Sequence, residues 1–253
     1  MKRPVKILLI LAGAALLLVL VVVANISRSR STVRGVEVHL RYGKTTPLVE
    51  EATVRDSILA AIPALLQMQV ADVDREQVAE AASHVPFLSE VNASVSASGK
   101  VVVRARQRRP IMRLYYADRE YYLDGEGVVM PAATATGSCN VVVAGGNFAE
   151  PLRADSLNAQ MLDLVALANY LDHEKRYGDL IDQIFIERDG DVLMVPKLGN
   201  HVVELGQVEN LPDKFANLWA FYRKGMPRAG WDTYSKVSLK FKDQVVCTKR
   251  ETK

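Results

Sequence analysis

The decapeptide VVVRARQRRP, residues 101–110, decides how the chain divides into folding modules. Arginine occupies every second position at Arg104, Arg106 and Arg108, and valine and alanine alternate with the first two. A period of two is typical of a β-strand with one face in the core and the other in solvent. The stretch ends at Pro110, and proline interrupts a sheet because it has no N–H to donate. We therefore expect a strand that closes one module, with a boundary at Pro110.

The same decapeptide lies in a basic part of the chain. No acidic residue occurs between residues 92 and 117. One interpretation is a patch that binds anionic lipid headgroups, a glycan polymer or an acidic partner. Its residues would be Arg104, Arg106, Arg108 and Arg109. The other interpretation is the solvated face of an ordinary strand, and the sequence leaves both open.

Upstream of the decapeptide, periodicity predicts a small α/β module over residues 33–110 with a three-stranded sheet. Asp74 stands where a helix N-cap is expected. Pro63 is expected to kink or end the first helix, and Pro86 to end the second. The predicted β-α-α-β-β elements cover residues 36–40, 54–66, 74–84, 91–96 and 101–106.

Downstream of the boundary, we expect a β-rich domain with two helices over residues 111–250, so that the fold class is α+β. Short alternating runs separated by turn residues predict most of its strands. Apolar residues at helical spacing predict one helix over 155–176 and another from Pro212. The final stretch, 236–248, alternates strongly and predicts one long strand.

The N-terminal segment is expected to be a membrane anchor. Residues 7–24 form an unbroken run of 18 apolar or glycine residues. As a helix, such a run spans about 27 Å, close to the hydrocarbon thickness of a bilayer. We assign residues 1–6 as a cytoplasmic tail, 7–26 as the transmembrane helix and 27–32 as a linker. A cleaved signal peptide is the alternative, although its apolar stretch is usually about 7–15 residues long.

The formal net charge of +3 belongs to this N-terminal segment. Three of the 32 basic residues, Lys2, Arg3 and Lys6, stand there without an acidic neighbour, which leaves 29 basic and 29 acidic residues in the rest of the chain. A neutral remainder argues against non-specific nucleic-acid binding, which needs a positive excess. We expect the short basic tail to lie in the cytoplasm and the bulk of the chain to be exported.

The sequence contains no arrangement that predicts an enzyme, a cofactor or a metal site. The four histidines are isolated in sequence. His173 and Glu174 begin like a zinc-protease motif, but position 177 is tyrosine instead of the second histidine. Neither a Gly-x-Ser-x-Gly nor a Ser-x-x-Lys motif is present. We therefore expect a non-enzymatic protein without a small-molecule substrate.

Four stretches resemble motifs of the FtsQ/DivIB family of bacterial cell-division proteins, and they occur in the family's order. Residues 73–88 resemble "vdl..v...l..lPwV", 101–110 resemble "l.I.v.ErrP", 122–129 resemble "ylvD..G.vl", and 237–241 stand where the family has "vDLRy". Two positions depart from the family pattern. Arg106 or Gln107 replaces the acid of the second motif, and Ser238 replaces the aspartate of the last.

The resemblance implies both a fold and a role. It implies that residues 33–110 are a POTRA-like module that aids recruitment. It also implies a divisome scaffold that spans the inner membrane once, has its bulk in the periplasm and concentrates at the division septum. Such a scaffold links early division proteins to later ones, and its implied partners are the single-span coiled-coil proteins FtsB and FtsL.

The resemblance places partner binding at the end of the β-rich domain, where the family binds FtsB. The last predicted strand suits this role because an open sheet edge accepts an incoming strand. The expected partner-binding residues are Tyr222, Leu239, Lys240, Phe241 and Lys242. The alternative for Leu239 and Phe241, which share a face of the predicted strand, is that they point into the core.

Two other classes of protein are alternatives to a division scaffold. One is another exported POTRA-type interaction protein of secretion or envelope assembly, which would normally carry several tandem modules or a barrel. The other is a secreted cell-wall enzyme, which needs a nucleophile or a metal site. The sequence predicts a single module and neither kind of catalytic site.

Overall fold

The chain folds as an α+β protein with two separate sheets, as the sequence predicts. The computed structural model describes residues 12–20, 31–148 and 158–251. Two compact units follow one another along the chain, and the division falls between residues 107 and 108. The division therefore lies within the decapeptide, just before the boundary expected from the sequence.

The first unit packs two helices against a three-stranded sheet. Its elements are β1 (Val36–Arg41), α1 (Glu51–Ala61), α2 (Arg75–Ser83), β2 (Leu88–Val95) and β3 (Val101–Gln107). The strand order is β1-β3-β2, with β1 parallel and β2 antiparallel to β3. The decapeptide strand is thus the centre of this sheet.

Local sequence explains where the two helices begin and end. Asp74 caps α2, since its Oδ1 accepts the backbone N–H groups of Glu76 and Gln77 at 2.9 and 3.2 Å. This confirms the predicted N-cap. α1 ends at Ala61, two residues before Pro63, because a proline ring cannot continue the helical hydrogen bonding.

The decapeptide strand β3 alternates as predicted from Val103 onward, whereas Val101 and Val102 are both buried. Val101, Val103 and Ala105 are buried, and Arg104 and Arg106 are exposed. The apolar side chains contribute to the core of the first unit, which is the main favourable term in its folding. The two arginines are left on the outer face of the sheet.

The second unit is built on a nine-stranded sheet. Its strands are β4 (Pro110–Tyr116), β5 (Arg119–Asp124), β6 (Val129–Pro131), β7 (Val142–Gly146), β8 (Ile181–Ile186), β9 (Val192–Pro196), β10 (Val202–Gly206), β11 (Tyr234–Ser238) and β12 (Val246–Lys249). Its helices are α3 (Ala159–His173), α4 (Lys175–Gly178), α5 (Leu211–Lys224) and α6 (Met226–Ala229). The strand order is β12-β11-β10-β9-β8-β7-β4-β5-β6, so β12 and β6 form the two edges.

One apolar core joins the long helices α3 and α5 to this sheet. α3 contributes Leu164 and Leu167, and α5 contributes Phe215 and Leu218. Complete burial of a side chain of this size contributes about 1.5–3 kcal/mol. The helix predicted over 155–176 is shorter in the structure, and residues 155–157 lie outside the described part of the chain.

The final stretch departs most from the prediction. The sequence predicts one strand over 236–248, but the structure has two antiparallel strands, β11 and β12, joined by a turn. Leu239 still donates its N–H to the carbonyl of Glu204 at 2.8 Å and is buried. Phe241 is 55% exposed. The prediction that Leu239 and Phe241 share one face of a continuous strand is therefore wrong.

An ion pair and a turn break that strand. Immediately after Leu239, Lys240 pairs with Asp191. The chain then reverses direction, with Asp243 at a positive φ of 58° and the N–H of Gln244 3.4 Å from the carbonyl of Phe241. The apolar–polar alternation stops at the polar run of residues 242–244, which is the local sign of this turn.

The predicted anchor is described only in part. Residues 12–20 are helical and exposed. Residues 1–11 and 21–30 of the predicted tail, anchor and linker lie outside the described residues. No helix within the described ranges is long and apolar enough to cross a bilayer.

Candidate functional site

The edge strand β12 is positioned to pair with another chain. Among the residues that the structure describes, it pairs only with β11, with Thr248 opposite Lys236 and Val246 opposite Ser238. Its other side presents unpaired backbone N–H and C=O groups. Such groups form a template for an incoming strand.

One hydrogen bond shows which backbone groups face outward. The N–H of Arg250 donates to the carbonyl of Thr233, just before β11, at 2.9 Å. The direction of these groups alternates along a strand. The N–H of Thr248 therefore also faces β11, whereas those of Cys247 and Lys249 face the open side.

Exposed apolar side chains lie next to this open edge. Phe241, in the turn before β12, is 55% exposed, and Val246, the first residue of β12, is 43% exposed. Lys242 is exposed in the same turn. Of the predicted partner-binding residues, Phe241 and Lys242 are thus accessible beside the edge, while Leu239 is in the core.

Lys240 is held by a buried carboxylate. Its Nζ pairs with Asp191, which is 5% exposed, and Gln207 Nε2 donates to the other oxygen of Asp191 at 2.9 Å. The hydrogen bond from Lys240 lowers the pKa of Asp191 below its ordinary value. The Lys240 chain also lies across Gly206, where an added Cβ would come within 2.7 Å of its Cγ. These contacts of Lys240 therefore hold the chain in place just after the end of β11, which we call the exit of β11.

Three carboxylates meet at this exit. Glu187, Asp191 and Glu204 place oxygen atoms within 4.8 Å of one another, a spacing that a metal ion can bridge. Lys236 lies 3.3 Å from Glu204, and Lys240 pairs with Asp191. The two lysines already offset part of the negative charge of the three carboxylates, and a cation would have to displace Lys240. The arrangement is therefore better suited to hold β11 against the neighbouring strands than to bind a cation.

Tyr222 lies in the core and not at the surface. It is 5% exposed, and its hydroxyl lies 2.6 Å from Nε2 of His201. Its ring meets that of Trp231, which precedes β11, with centroids 5.4 Å apart. Burial raises the pKa of Tyr222 and lowers the pKa of His201. The partner-binding role of Tyr222 stays a prediction, and this position allows it to act only from beneath the surface.

Three of the four members of the predicted basic patch form ion pairs, and that of Arg106 with Glu90, at 3.2 Å, is exposed. Arg108 Nη1 donates to carboxylate oxygens of Asp124 and Glu126, each at 2.8 Å. Arg109 makes a two-point contact with Asp172, at 2.8 and 2.5 Å. The guanidinium groups of Arg108 and Arg109 are thus already paired with carboxylates of the second unit.

The other two members have basic neighbours that the sequence did not bring together. Parallel pairing of β1 with β3 places His39 opposite Arg104 and Arg41 opposite Arg106. All four side chains are exposed. The alternation in β1 already put His39 and Arg41 on its polar face, but the register between the strands comes only from the tertiary fold.

Comparison with known proteins identifies the second unit. A family model described as FtsQ/DivIB, C-terminal related, matches residues 109–248, more than half of the chain. No curated protein matches the chain. The matched region runs from the residue before β4 into β12, the open edge. The chain therefore belongs to the FtsQ/DivIB C-terminal related family, and this membership indicates a role in cell division at the septum, with division proteins as partners.

Proposed function

We propose that the protein is a non-enzymatic divisome scaffold that links early and late division proteins at the septum. The observation that carries the proposal is the open edge of β12, at the end of the region that the family model matches. A partner strand added at this edge would pair with the outward backbone groups of Cys247 and Lys249. Main-chain hydrogen bonds then supply affinity, and alternate side chains supply specificity.

The proposed partners are single-span coiled-coil proteins resembling FtsB and FtsL. The FtsB-like protein supplies the incoming strand. Phe241 and Val246 provide apolar contacts for it, since both are exposed beside the edge. The clamp of Lys240 on Asp191 keeps the turn and β12 in place before the partner arrives.

The proposal includes an anchor in the inner membrane. The apolar run of residues 7–24 supports a single inner-membrane span over 7–26, with the N-terminus in the cytoplasm and both units in the periplasm. The first unit, with its β-α-α-β-β order, is the POTRA-like recruitment module in this proposal.

Replacement of Lys249 tests strand addition at the backbone. Lys249→Pro removes an outward N–H and places a ring on the open side, whereas Lys249→Ala retains the N–H. We expect Lys249→Pro to weaken capture of the FtsB-like protein by about tenfold or more, and Lys249→Ala to have little effect. Co-purification of the full-length chain in detergent, with quantification of the FtsB-like protein, measures both. Equal capture by the two variants rejects the β12 edge as the site.

Replacement of Phe241 tests the adjoining side-chain contact. Phe241→Asp introduces a charge at an exposed position, and Phe185→Asp does the same at a 46% exposed phenylalanine of β8. We expect only the first variant to lose the FtsB-like protein. Unchanged capture by Phe241→Asp would exclude this side chain from the interface.

The same purification separates the scaffold from the rival class. Recovery of an outer-membrane barrel, without small coiled-coil division proteins, would assign the chain to envelope assembly. A cell-wall-degrading activity abolished by a point mutation would likewise refute a non-enzymatic scaffold.

A further inference from the structure

The outer face of the sheet in the first unit carries a cluster of basic side chains. The parallel register of β1 and β3 sets His39 beside Arg104 and Arg41 beside Arg106. All four are exposed. We call these four residues the basic face.

The basic face contributes little to holding the first unit together. Like charges directly opposite one another across a sheet are unfavourable. Within the described part of the chain, the only ion pair of these four residues joins Arg106 to Glu90 at 3.2 Å, and both side chains are more than 60% exposed, so solvent screens it. Arg104 reaches only the hydroxyl of Ser94, at 3.5 Å. The core lies on the opposite side of the strands and does not need these charges.

Next to the basic face, by contrast, a basic side chain of the same unit is paired with an acidic one. Lys100, which precedes β3, lies 2.5 Å from Glu37 of β1. No described acidic residue is paired with Arg41 or Arg104. The positive charge of the basic face is therefore in excess, and it lies on an open sheet surface instead of in a pocket.

The length of the tether favours a membrane surface as the counterpart. If residues 7–26 span the bilayer, as the proposed function has it, only residues 27–30 separate the anchor from the first unit, because the N–H groups of Val33 and Arg34 already donate to the carbonyls of Met68 and Gly99, each at 3.0 Å. Four residues reach at most about 14 Å. The membrane surface therefore stays close to the first unit, whereas a soluble ligand must be captured from solution.

We propose that the basic face contacts the headgroups of anionic phospholipids and holds the first unit against the membrane. Each arginine near an anionic surface strengthens the attraction by about fivefold. Arg28, Arg30 and Arg34, which precede β1, add to the same field. The inference rests on the proposed anchor, and it adds a lipid contact to the partner site at β12.

The test uses the full-length chain in lipid nanodiscs of two compositions, phosphatidylcholine alone or with about one third phosphatidylglycerol. A photoreactive analogue of phosphatidylglycerol reports headgroup contact, and mass spectrometry locates the crosslinked peptides. We expect crosslinks in residues 36–41 and 101–107, weakened by 0.5 M salt because exposed charges are screened. A triple variant, Arg41→Gln, Arg104→Gln and Arg106→Gln, should lose them by about tenfold or more.

A second triple variant provides the matched control. Arg55→Gln, Arg75→Gln and Arg119→Gln remove the same charge from exposed positions outside the basic face. Crosslinking that survives in this control but not in the first variant supports the proposal. Equal loss in both variants, or equal retention, overturns it.

The remaining outcomes separate this inference from the proposed function. If the chain enters the nanodisc but β1 and β3 do not crosslink to lipid, the lipid contact is refuted and the scaffold proposal stands. If the chain does not enter the nanodisc, the anchor is refuted and both proposals fall. If crosslinking in cells joins the basic face to an acidic protein segment and not to lipid, the counterpart is a protein and the inference is wrong.

Discussion

The arginines of the decapeptide VVVRARQRRP are used in two different ways. In β3, Arg104 and Arg106 extend into solvent, and the side chain of Glu90, which pairs with Arg106, is 63% exposed. Beyond β3, Arg108 and Arg109 form ion pairs within the second unit, with the carboxylates of Asp124 and Asp172, whose side chains are 6% and 15% exposed. The four arginines therefore divide into two with no carboxylate or an exposed one beside them and two whose carboxylates are mostly removed from water.

The difference lies in how far the carboxylate partners are removed from water. Asp124, the partner of Arg108, is 4% exposed and also accepts the backbone N–H groups of Glu126 and Val128 at 3.0 and 2.8 Å. A desolvated charge depends on its partner, whereas an exposed one is stabilised by water. The comparison predicts that replacement of an arginine lowers the free energy of unfolding most at Arg108, less at Arg109 and least in β3.

Arg108→Ala gives the largest expected effect. It leaves the buried carboxylate of Asp124 without its cation, and we expect the free energy of unfolding of the second unit to fall by about 3 kcal/mol. Urea unfolding followed by tryptophan fluorescence measures this directly, because the only tryptophans, Trp219 and Trp231, lie in the second unit. Arg108→Lys keeps the charge and should lose less. If Arg108→Ala lowered the free energy of unfolding by less than about 1 kcal/mol, the Arg108–Asp124 pair would contribute no more than an exposed ion pair does, and the comparison would fail.

Arg109 has an intermediate expected effect that depends on pH. Hydrogen bonds from Arg109 lower the pKa of Asp172 to about 2. A carboxylate whose pKa is lowered by folding stabilises the protein above its unfolded pKa of about 3.9, and loses that contribution as the pH falls toward the folded value. The Arg109 side chain is 52% exposed, so solvent screening limits the contribution to about 1 kcal/mol.

Arg109→Gln should therefore lower the free energy of unfolding by about 1 kcal/mol at pH 7. The gap between the original chain and the variant should close as the pH falls from about 4 to about 2. Tryptophan-detected unfolding at several pH values measures the gap, with Arg106→Gln as a control that should show none. A gap that is constant down to pH 2 would mean that the Arg109–Asp172 pair is not its source.

The fold was predictable where short-range signals decide it. The N-cap of Asp74 and the alternation in β3 depend on residues that are close in sequence, and both occur as expected. The break between β11 and β12 has a local sign, the polar run of residues 242–244, where the alternation stops. The contact of Lys240 with Asp191, 49 positions away, was not predictable in this way.

The site was predictable only in outline, for the same reason. The end of the chain was expected to offer an open edge, and β12 is such an edge. Which arginines pair with little-exposed carboxylates was not predictable, because Arg108 and Arg109 pair with acids 16 and 63 positions away. The acid-free segment around the decapeptide shows an excess of local charge but not which charges are offset in space.

The smallest expected effect on stability belongs to Arg104 and Arg106, and its size decides whether these two arginines stabilise the sheet. The double variant Arg104→Gln, Arg106→Gln removes the like-charge pair of Arg106 and Arg41 and breaks only the exposed ion pair with Glu90. We expect the stability of the first unit to change by no more than about 0.5 kcal/mol. Since the tryptophans do not report on this unit, hydrogen exchange of the β3 amides is the measurement. A loss above about 1 kcal/mol would show that these arginines stabilise the sheet, and the case for a separate role of the basic face would fail.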